Sequence, residues 1–137
     1  MIWTIRTGQR SDVESILRLW AEAEAEPTHT DDSESLGKLI EHDPLALIVA
    51  HDGGSLVGSV IAAWDGWRGS VYRLVVAPRH RRLGLGAQLL REAESRMSAA
   101  GAVRQQAIVV ESEPVATAFW RSSGWQQQVE RLRFVKG

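Results

Sequence analysis

The chain has 137 residues, 44% of them hydrophobic and 24% charged, no cysteine, and a formal net charge of −1 from 16 basic and 17 acidic side chains. Those figures fit one domain over residues 1–137 and exclude compositional disorder, disulfides, thiolate metal sites and a cysteine nucleophile. The even charge balance argues against a nucleic-acid partner, and the longest apolar run, Leu45 to Ala50, falls far short of the ~20 residues a membrane helix needs.

Met1-Ile2-Trp3-Thr4-Ile5-Arg6 has no basic stretch followed by an apolar one, so no secretion signal is read and a cytoplasmic protein is expected. Ile2, Trp3 and Ile5 predict a short first strand. Ser11-Asp12-Val13-Glu14 has the form of a capping box, the serine accepting from a first-turn amide while the glutamate reaches back. Val13, Ile16, Leu17 and Trp20 repeat at helical spacing, and Pro27 ends this helix. Thr28 to Asp32 is a polar connector. Leu36, Leu39 and Ile40 mark a second, shorter helix, weakened at Gly37 by roughly 1 kcal/mol relative to alanine.

Leu45 to Ala50 reads as a buried strand, turned by Asp52-Gly53-Gly54 into another from Leu56 to Ala63. Asp65-Gly66 turns the chain again into a strand from Ser70 to Val76, which Pro78 stops. A long helix with an apolar stripe at Leu85, Leu89, Leu90, Ala93 and Met97 is closed by Gly101. Ala107 to Val110 predicts a further strand, Pro114 opens a helix running to Gly124, and Trp125 to Val135 predicts one or two final strands. The order β-α-α-β-β-β-α-β-α-β(β) is α+β, a mainly antiparallel mixed sheet of about six or seven strands flanked by about four helices.

One segment carries chemistry. From Leu74-Val75-Val76 the chain passes through Ala77-Pro78-Arg79-His80-Arg81-Arg82-Leu83-Gly84-Leu85-Gly86-Ala87 into the long helix. A helix start presents free amides and the positive end of its dipole, which suits phosphate. Gly84 and Gly86 let the backbone approach closely, and Arg81 and Arg82 add charge-assisted donors. The nucleotide loops G-x-x-x-x-G-K-[ST] and G-x-G-x-x-G are both absent; position 89, where the second would need glycine, is leucine.

Arg81-x-x-Gly84-x-Gly86 resembles the [QR]-x-x-G-x-[GA] pyrophosphate loop of the GNAT superfamily of N-acetyltransferases. Ala116-Thr117-Ala118-Phe119-Trp120-Arg121-Ser122-Ser123-Gly124-Trp125 is similar to that family's second signature, A-x-x-[FL]-Y-x-x-x-G-F. The resemblance covers the whole chain and implies the GNAT fold, acetyl-CoA as co-substrate, and acetyl transfer to a primary amine of a small metabolite or a protein N-terminus. It implies cofactor contacts at Leu74, Val75, Val76, Arg81, Arg82, Leu83, Gly84, Leu85, Gly86 and Ala87, and downstream at Glu113 and Trp120. Dimers are common among such domains, so a homodimer is an expectation of the same kind. Two positions depart from the family. Its usual tyrosine, often assigned to protonate the leaving thiolate, is Trp120, whose indole N–H has no useful acidity. Its frequent asparagine is Glu113, which either caps the helix or touches the pantetheine arm. The lost tyrosine leaves a second reading open, a non-catalytic acyl-CoA-binding module that senses cofactor or docks a partner.

If the chain is catalytic, the strand amides near Val75 and Val76 would face the thioester carbonyl, and Glu111 or Glu113 would take the proton of an ammonium substrate. Tyr72, the one tyrosine, is the candidate acid that replaces Trp120. Trp64 and Asp65, in the turn Trp64-Asp65-Gly66-Trp67-Arg68, and His29, in the acidic connector, are candidates for lining the acceptor side, with negative charge suited to a cationic amine. Each competes with an ordinary role: exposed helix-start acids, strand packing, hairpin chemistry, a solvated loop histidine. His29, His42, His51 and His80 show no metal-ligand spacing, so no metal is expected.

Overall fold

Among the described residues, five strands and four helices follow one another in the order β1 (Thr4–Thr7), α1 (Val13–Glu22), α2 (Ser33–His42), β2 (Leu47–Asp52), β3 (Ser55–Trp64), β4 (Gly69–Val76), α3 (Leu85–Ala100), β5 (Gln105–Ala107) and α4 (Pro114–Ser122). The structure is a computed structural model that describes residues 3–109 and 114–137. It divides into two units, Met1–Ala107 and Ile108–Gly137. The first holds the sheet; the second holds α4 and the C-terminal segment.

The sheet runs in the order β1-β2-β3-β4-β5. Its first three pairings are antiparallel, β2-β3-β4 as consecutive hairpins and β1 joined to β2 through α1 and α2. Strand β5 returns parallel to β4 after the α3 crossover, with Gly69 opposite Gln105 and Val71 opposite Ala107. Helix α3 lies on one face so closely that a Cβ on Gly58 would sit 2.8 Å from Leu89 Cδ1, and one on Gly69 2.5 Å from Met97 Sδ. Residue 59 points the other way by strand alternation, and there the α1 residue Trp20 donates its indole N–H to Ser59 Oγ at 2.8 Å. Helices α1 and α3 therefore cover opposite faces. The sealed interior is Ile16, Leu47, Val49, Val57, Val60, Leu85, Leu89, Leu90 and Met97, so the apolar stripe predicted for the long helix is the one that is buried.

The helix starts differ in detail from the predicted caps. Asp12, not Glu14, reaches back to an amide, accepting from Gln9 N at 2.7 Å, and a 3-10 turn over Arg10–Asp12 precedes α1. Arg6 holds that carboxylate with two bonds of 2.8 and 2.9 Å, which fixes where the helix begins. Gly37 is buried in α2, and a Cβ there would lie 2.9 Å from the Arg10 guanidinium nitrogens. The glycine that weakens the helix locally is the one that lets Arg10 pack against it.

The predicted count of six or seven strands is corrected to five among the described residues. Residues from Trp125 onward form no strand. Val129, Leu132, Phe134 and Val135 are 78%, 82%, 88% and 71% exposed, so no partner buries their side chains. A strand needs a ladder and a covered face, and Gln126-Gln127-Gln128 also breaks the alternation that would give it one face. The strand predicted over Ala107 to Val110 appears two residues earlier, as β5; Val110 itself lies outside the described residues.

Candidate active site

Strand β4 ends at Val76, and Pro78 opens a single 3-10 turn, Pro78–His80, that redirects the chain toward α3. The turn is anchored from below. His80 is buried, with Nε2 3.1 Å from Asp52 Oδ2 at the end of β2, and its Nδ1 is buried without a partner among the described residues. Arg81 turns back onto main chain, donating from Nε to Val76 O at 3.3 Å and from Nη2 to Ala23 O at 3.2 Å. Arg79 pairs with Glu22 at 3.2 Å. Two arginines of the loop thus hold the C-terminal end of α1, and the loop keeps a fixed base.

Its upper side is open. Arg82 and Gly84 both adopt left-handed backbone angles, φ +64 and +88, which turn successive amides toward one side as in an anion-binding nest. Gly84 is the N-cap of α3; its carbonyl accepts from Gln88 N at 3.1 Å. The first-turn amides of Leu85, Gly86 and Ala87 have no helical acceptor. A Cβ on Gly84 would meet nothing within 4 Å. Arg82 and Leu83 are exposed, and Arg82 forms no ion pair among the described residues. First-turn amides, the positive end of a 16-residue helix and a guanidinium with no ion-pair partner among the described residues make a site that fits a pyrophosphate.

Beside this loop β4 outruns its parallel neighbour. Pairing with β5 stops at Val71, so the edge from Tyr72 to Val76 has no β5 partner. Within that edge β4 bulges: Ser59 faces Val75 and Ile61 faces Tyr72, leaving Val60 opposite both Arg73 and Leu74. Arg73 takes φ +52. Ser59 Oγ, buried, donates to Arg73 O at 3.0 Å while receiving the Trp20 indole N–H. The Arg73 guanidinium lies 5.1 Å over the Trp20 ring, donates from Nε to Asp31 Oδ1 at 3.1 Å and from Nη2 to Glu26 O at 2.7 Å, and pairs through Nη2 with Asp31 Oδ2. The two side chains are only 15% and 17% exposed.

The other candidates fall in different places. Tyr72 is half-exposed, opposite Ile61 on the α1 face of the sheet. His29 is exposed in a turn closed by Thr28 and Asp31, where Asp31 Oδ2 accepts from Thr28 N at 2.8 Å. Asp65 caps its own turn: the amides of Arg68 and Trp67 donate to it at 2.7 and 2.8 Å and hold its pKa below the usual carboxylate value. Arg68 lies 4.2 Å over the exposed Trp67 ring, and Trp64 sits partly buried at the end of β3. Four acidic groups in and around the connector are engaged. Asp31 is on Arg73, Glu22 on Arg79, Asp32 accepts from Ser35 N at 2.7 Å as the cap of α2, and Glu34 pairs with Lys38 at 3.5 Å. Glu111 and Glu113 lie outside the described residues. In the second unit Trp120 packs edge-on between Phe119 and Trp125, ring centroids 5.9 and 4.8 Å away. No group of three or more metal-ligating side chains occurs among the described residues, and no described helix is long and apolar enough to cross a membrane.

A cavity of about 380 Å³ lies elsewhere, between β1 and the Glu92 to Arg96 stretch of α3. Glu92 is roughly 10 Å along the helix from its N-terminus, so this space is separate from the loop.

Sequence reasoning passed over Arg73, Ser59 and the His80–Asp52 pair. The first two had a signal: Ser59 is the polar side chain in Val57-Gly58-Ser59-Val60-Ile61, and strand alternation fails at Arg73-Leu74. The third joins residues 28 apart in sequence and left none.

Comparison with known proteins matches residues 13–125 to the acetyltransferase (GNAT) family. An acetyltransferase of Yersinia enterocolitica is 30% identical over 124 residues, covering 90% of this chain and 88% of that one. Among solved structures, Ard1 from Thermoplasma volcanium superposes with a TM-score of 0.80 at 22% identity, over 90% of this chain and 82% of its own. The PaiA N-acetyltransferase of Thermoplasma acidophilum, solved with coenzyme A, gives a TM-score of 0.76 at 18% identity, over 89% and 88%.

Proposed function

The chain belongs to the GNAT family of acetyltransferases, and from that premise we propose that it transfers the acetyl group of acetyl-CoA to a primary amine, of a small metabolite or a protein N-terminus, by direct attack. The observation that carries the reading is the pair of left-handed residues, Arg82 and Gly84, opening α3 beside the length of β4 that runs beyond its pairing with β5. The α3 amides and Arg82 would take the pyrophosphate. Arg81, engaged with Val76 O and Ala23 O, would shape the loop from behind. Main-chain N–H groups of the edge around Val75 and Val76 would hold the thioester carbonyl and the charge that develops on its oxygen. Acetyl-CoA supplies the activated acyl group; most of what the chain adds is position.

Proton handling rests on fewer observations. Tyr72 presents a half-exposed ring on the α1 face, the reason to assign it, rather than Trp120, as the acid for the leaving thiolate. Tyr72→Phe is then expected to lower kcat by about 10²-fold with acetyl-CoA affinity unchanged. The family resemblance alone supports Glu111 and Glu113 as bases and Glu113 and Trp120 as cofactor contacts. It also underlies a single catalytic domain over 1–137, a cytoplasmic location and a homodimer. His29, Trp64 and Asp65 remain candidates for the acceptor side, with Asp65 acting through its turn rather than through free charge.

The test is thiol release from acetyl-CoA with a panel of primary amines and short peptides. Amine-dependent release supports transfer, and the better class of acceptor separates metabolite from N-terminal acetylation. Saturable acetyl-CoA binding without release by any amine would favour the non-catalytic binding module that the loss of the family tyrosine at Trp120 suggests.

A further inference from the structure

We infer that Arg73 is a positioning residue for the acceptor amine, pinning the connector between α1 and α2 beside the β4 edge where the thioester is proposed to lie; the inference rests on the acetyl-transfer reading. Arg73 occupies the middle of that edge, at the bulge, and its carbonyl is fixed by Ser59 Oγ at 3.0 Å. Its side chain leaves the edge on the α1 face, where Trp20 lies under the guanidinium, and ends on the connector at Asp31 and at Glu26 O. Every donor direction of the guanidinium plane used here lands on connector atoms.

The choice of residues favours geometry over stability. An ion pair this far from water gains little net energy, because desolvation offsets much of the attraction. What a two-point contact with a carboxylate gives is a fixed direction, and stacking on an aromatic ring fixes the plane as well. Non-glycine residues seldom keep a left-handed angle inside a strand. Here that angle aims the guanidinium at the connector instead of along the sheet.

The three arginines that reach this region divide the work. Arg79 and Arg81, from the phosphate loop, hold the end of α1 at Glu22 and Ala23. Arg73 alone holds the connector further on, at residues 26 and 31. Releasing Arg73 should therefore free the wall beside the reacting edge and leave the phosphate loop anchored.

Asp31→Asn, Arg73→Lys and Arg73→Gln separate these roles. Lysine keeps the charge and loses the fork. Amine KM is expected to rise about tenfold in Asp31→Asn and further in Arg73→Gln, with Arg73→Lys between wild type and glutamine and the acetyl-CoA Kd within about twofold throughout. Amide exchange over residues 26–32 should quicken in all three variants while β3 and α3 stay protected. Quickened exchange with an unchanged amine KM would make the contact merely structural and overturn the inference. So would unchanged exchange, or an acetyl-CoA Kd that rises in step with the amine KM. Failure of the acetyl-transfer reading looks different: the wild-type protein releases no thiol with any amine, and the inference falls with it.

Discussion

Gly84 is required by backbone torsion and not by space. Its φ is +88, and an added Cβ would touch nothing within 4 Å. Gly84→Ala is therefore expected to cost about 1–2 kcal/mol through conformation alone. Gly69 is the opposite case, with a Cβ driven to 2.5 Å from Met97 Sδ, and Gly69→Ala should cost about 1–3 kcal/mol through overpacking. Urea midpoints read both; a second substitution, Met97→Ala, should relieve part of the Gly69→Ala cost and none of the Gly84→Ala cost. Asp12 makes a pH-dependent contribution. The Arg6 hydrogen bonds lower its pKa, burial works against them, and the Gln9 amide adds to the lowering. An unfolded aspartate titrates near about 3.9. The stability Asp12 contributes is thus complete above that value and is lost as pH falls through the lower folded pKa. Unfolding midpoints measured down the acid limb should show a shallower loss in Asp12→Asn, which starts less stable at neutral pH. Gly84 was legible in the sequence because only a few residue types suit a left-handed helix start, whereas Gly86 lies within α3 without that backbone requirement. Arg73 was passed over although the alternation breaks at Arg73-Leu74, because such a break marks a bulge without saying what the arginine reaches.

Between elements, α3 on β3 is the main apolar contact of the first unit. Leu89 is fully buried there, and Leu89→Ala is expected to cost about 2–5 kcal/mol. On the other face α1 is fixed to the sheet by a polar link, Trp20 Nε1 to Ser59 Oγ, both buried. Ser59→Ala leaves the indole N–H without its acceptor and frees Arg73 O, for an expected loss of about 1–3 kcal/mol. Ser59→Thr, which keeps the oxygen, should retain more of the stability in the same denaturation series. The stripe of α3 was read correctly because its burial follows from spacing. Helix α1, by contrast, stops at Glu22 rather than running to Pro27 and buries Leu19 more fully than Leu17, so the connector to α2 starts earlier than the predicted Thr28. The C-terminal strands were not read correctly, because Leu132, Phe134 and Val135 have strand-like chemistry but strand formation depends on a partner that local sequence does not specify. The capping box was displaced by two residues for a similar reason: Arg6, on β1, decides which carboxylate serves the helix.

At the scale of the first unit, β4 continues from Tyr72 to Val76 beyond its parallel pairing with β5, next to a helix start that favours anions. The order of elements and the loop motif announced the strand–loop–helix passage from β4 into α3, but not that β4 outruns β5; the family match covers residues 13–125. What the sequence left open is the acceptor side, where three acids of the connector region, Glu22, Asp31 and Asp32, are engaged by Arg79, Arg73 and the cap of α2. The most direct test of the central claim is calorimetric titration of acetyl-CoA into the wild-type protein, Gly84→Ala and Gly84→Glu. Saturable binding by wild type is expected, with modest weakening in Gly84→Ala and loss of about 10²-fold or more in Gly84→Glu, whose carboxylate enters the open side of the loop where the pyrophosphate would sit. No saturable binding by folded wild-type protein, or unchanged affinity in Gly84→Glu, would contradict it.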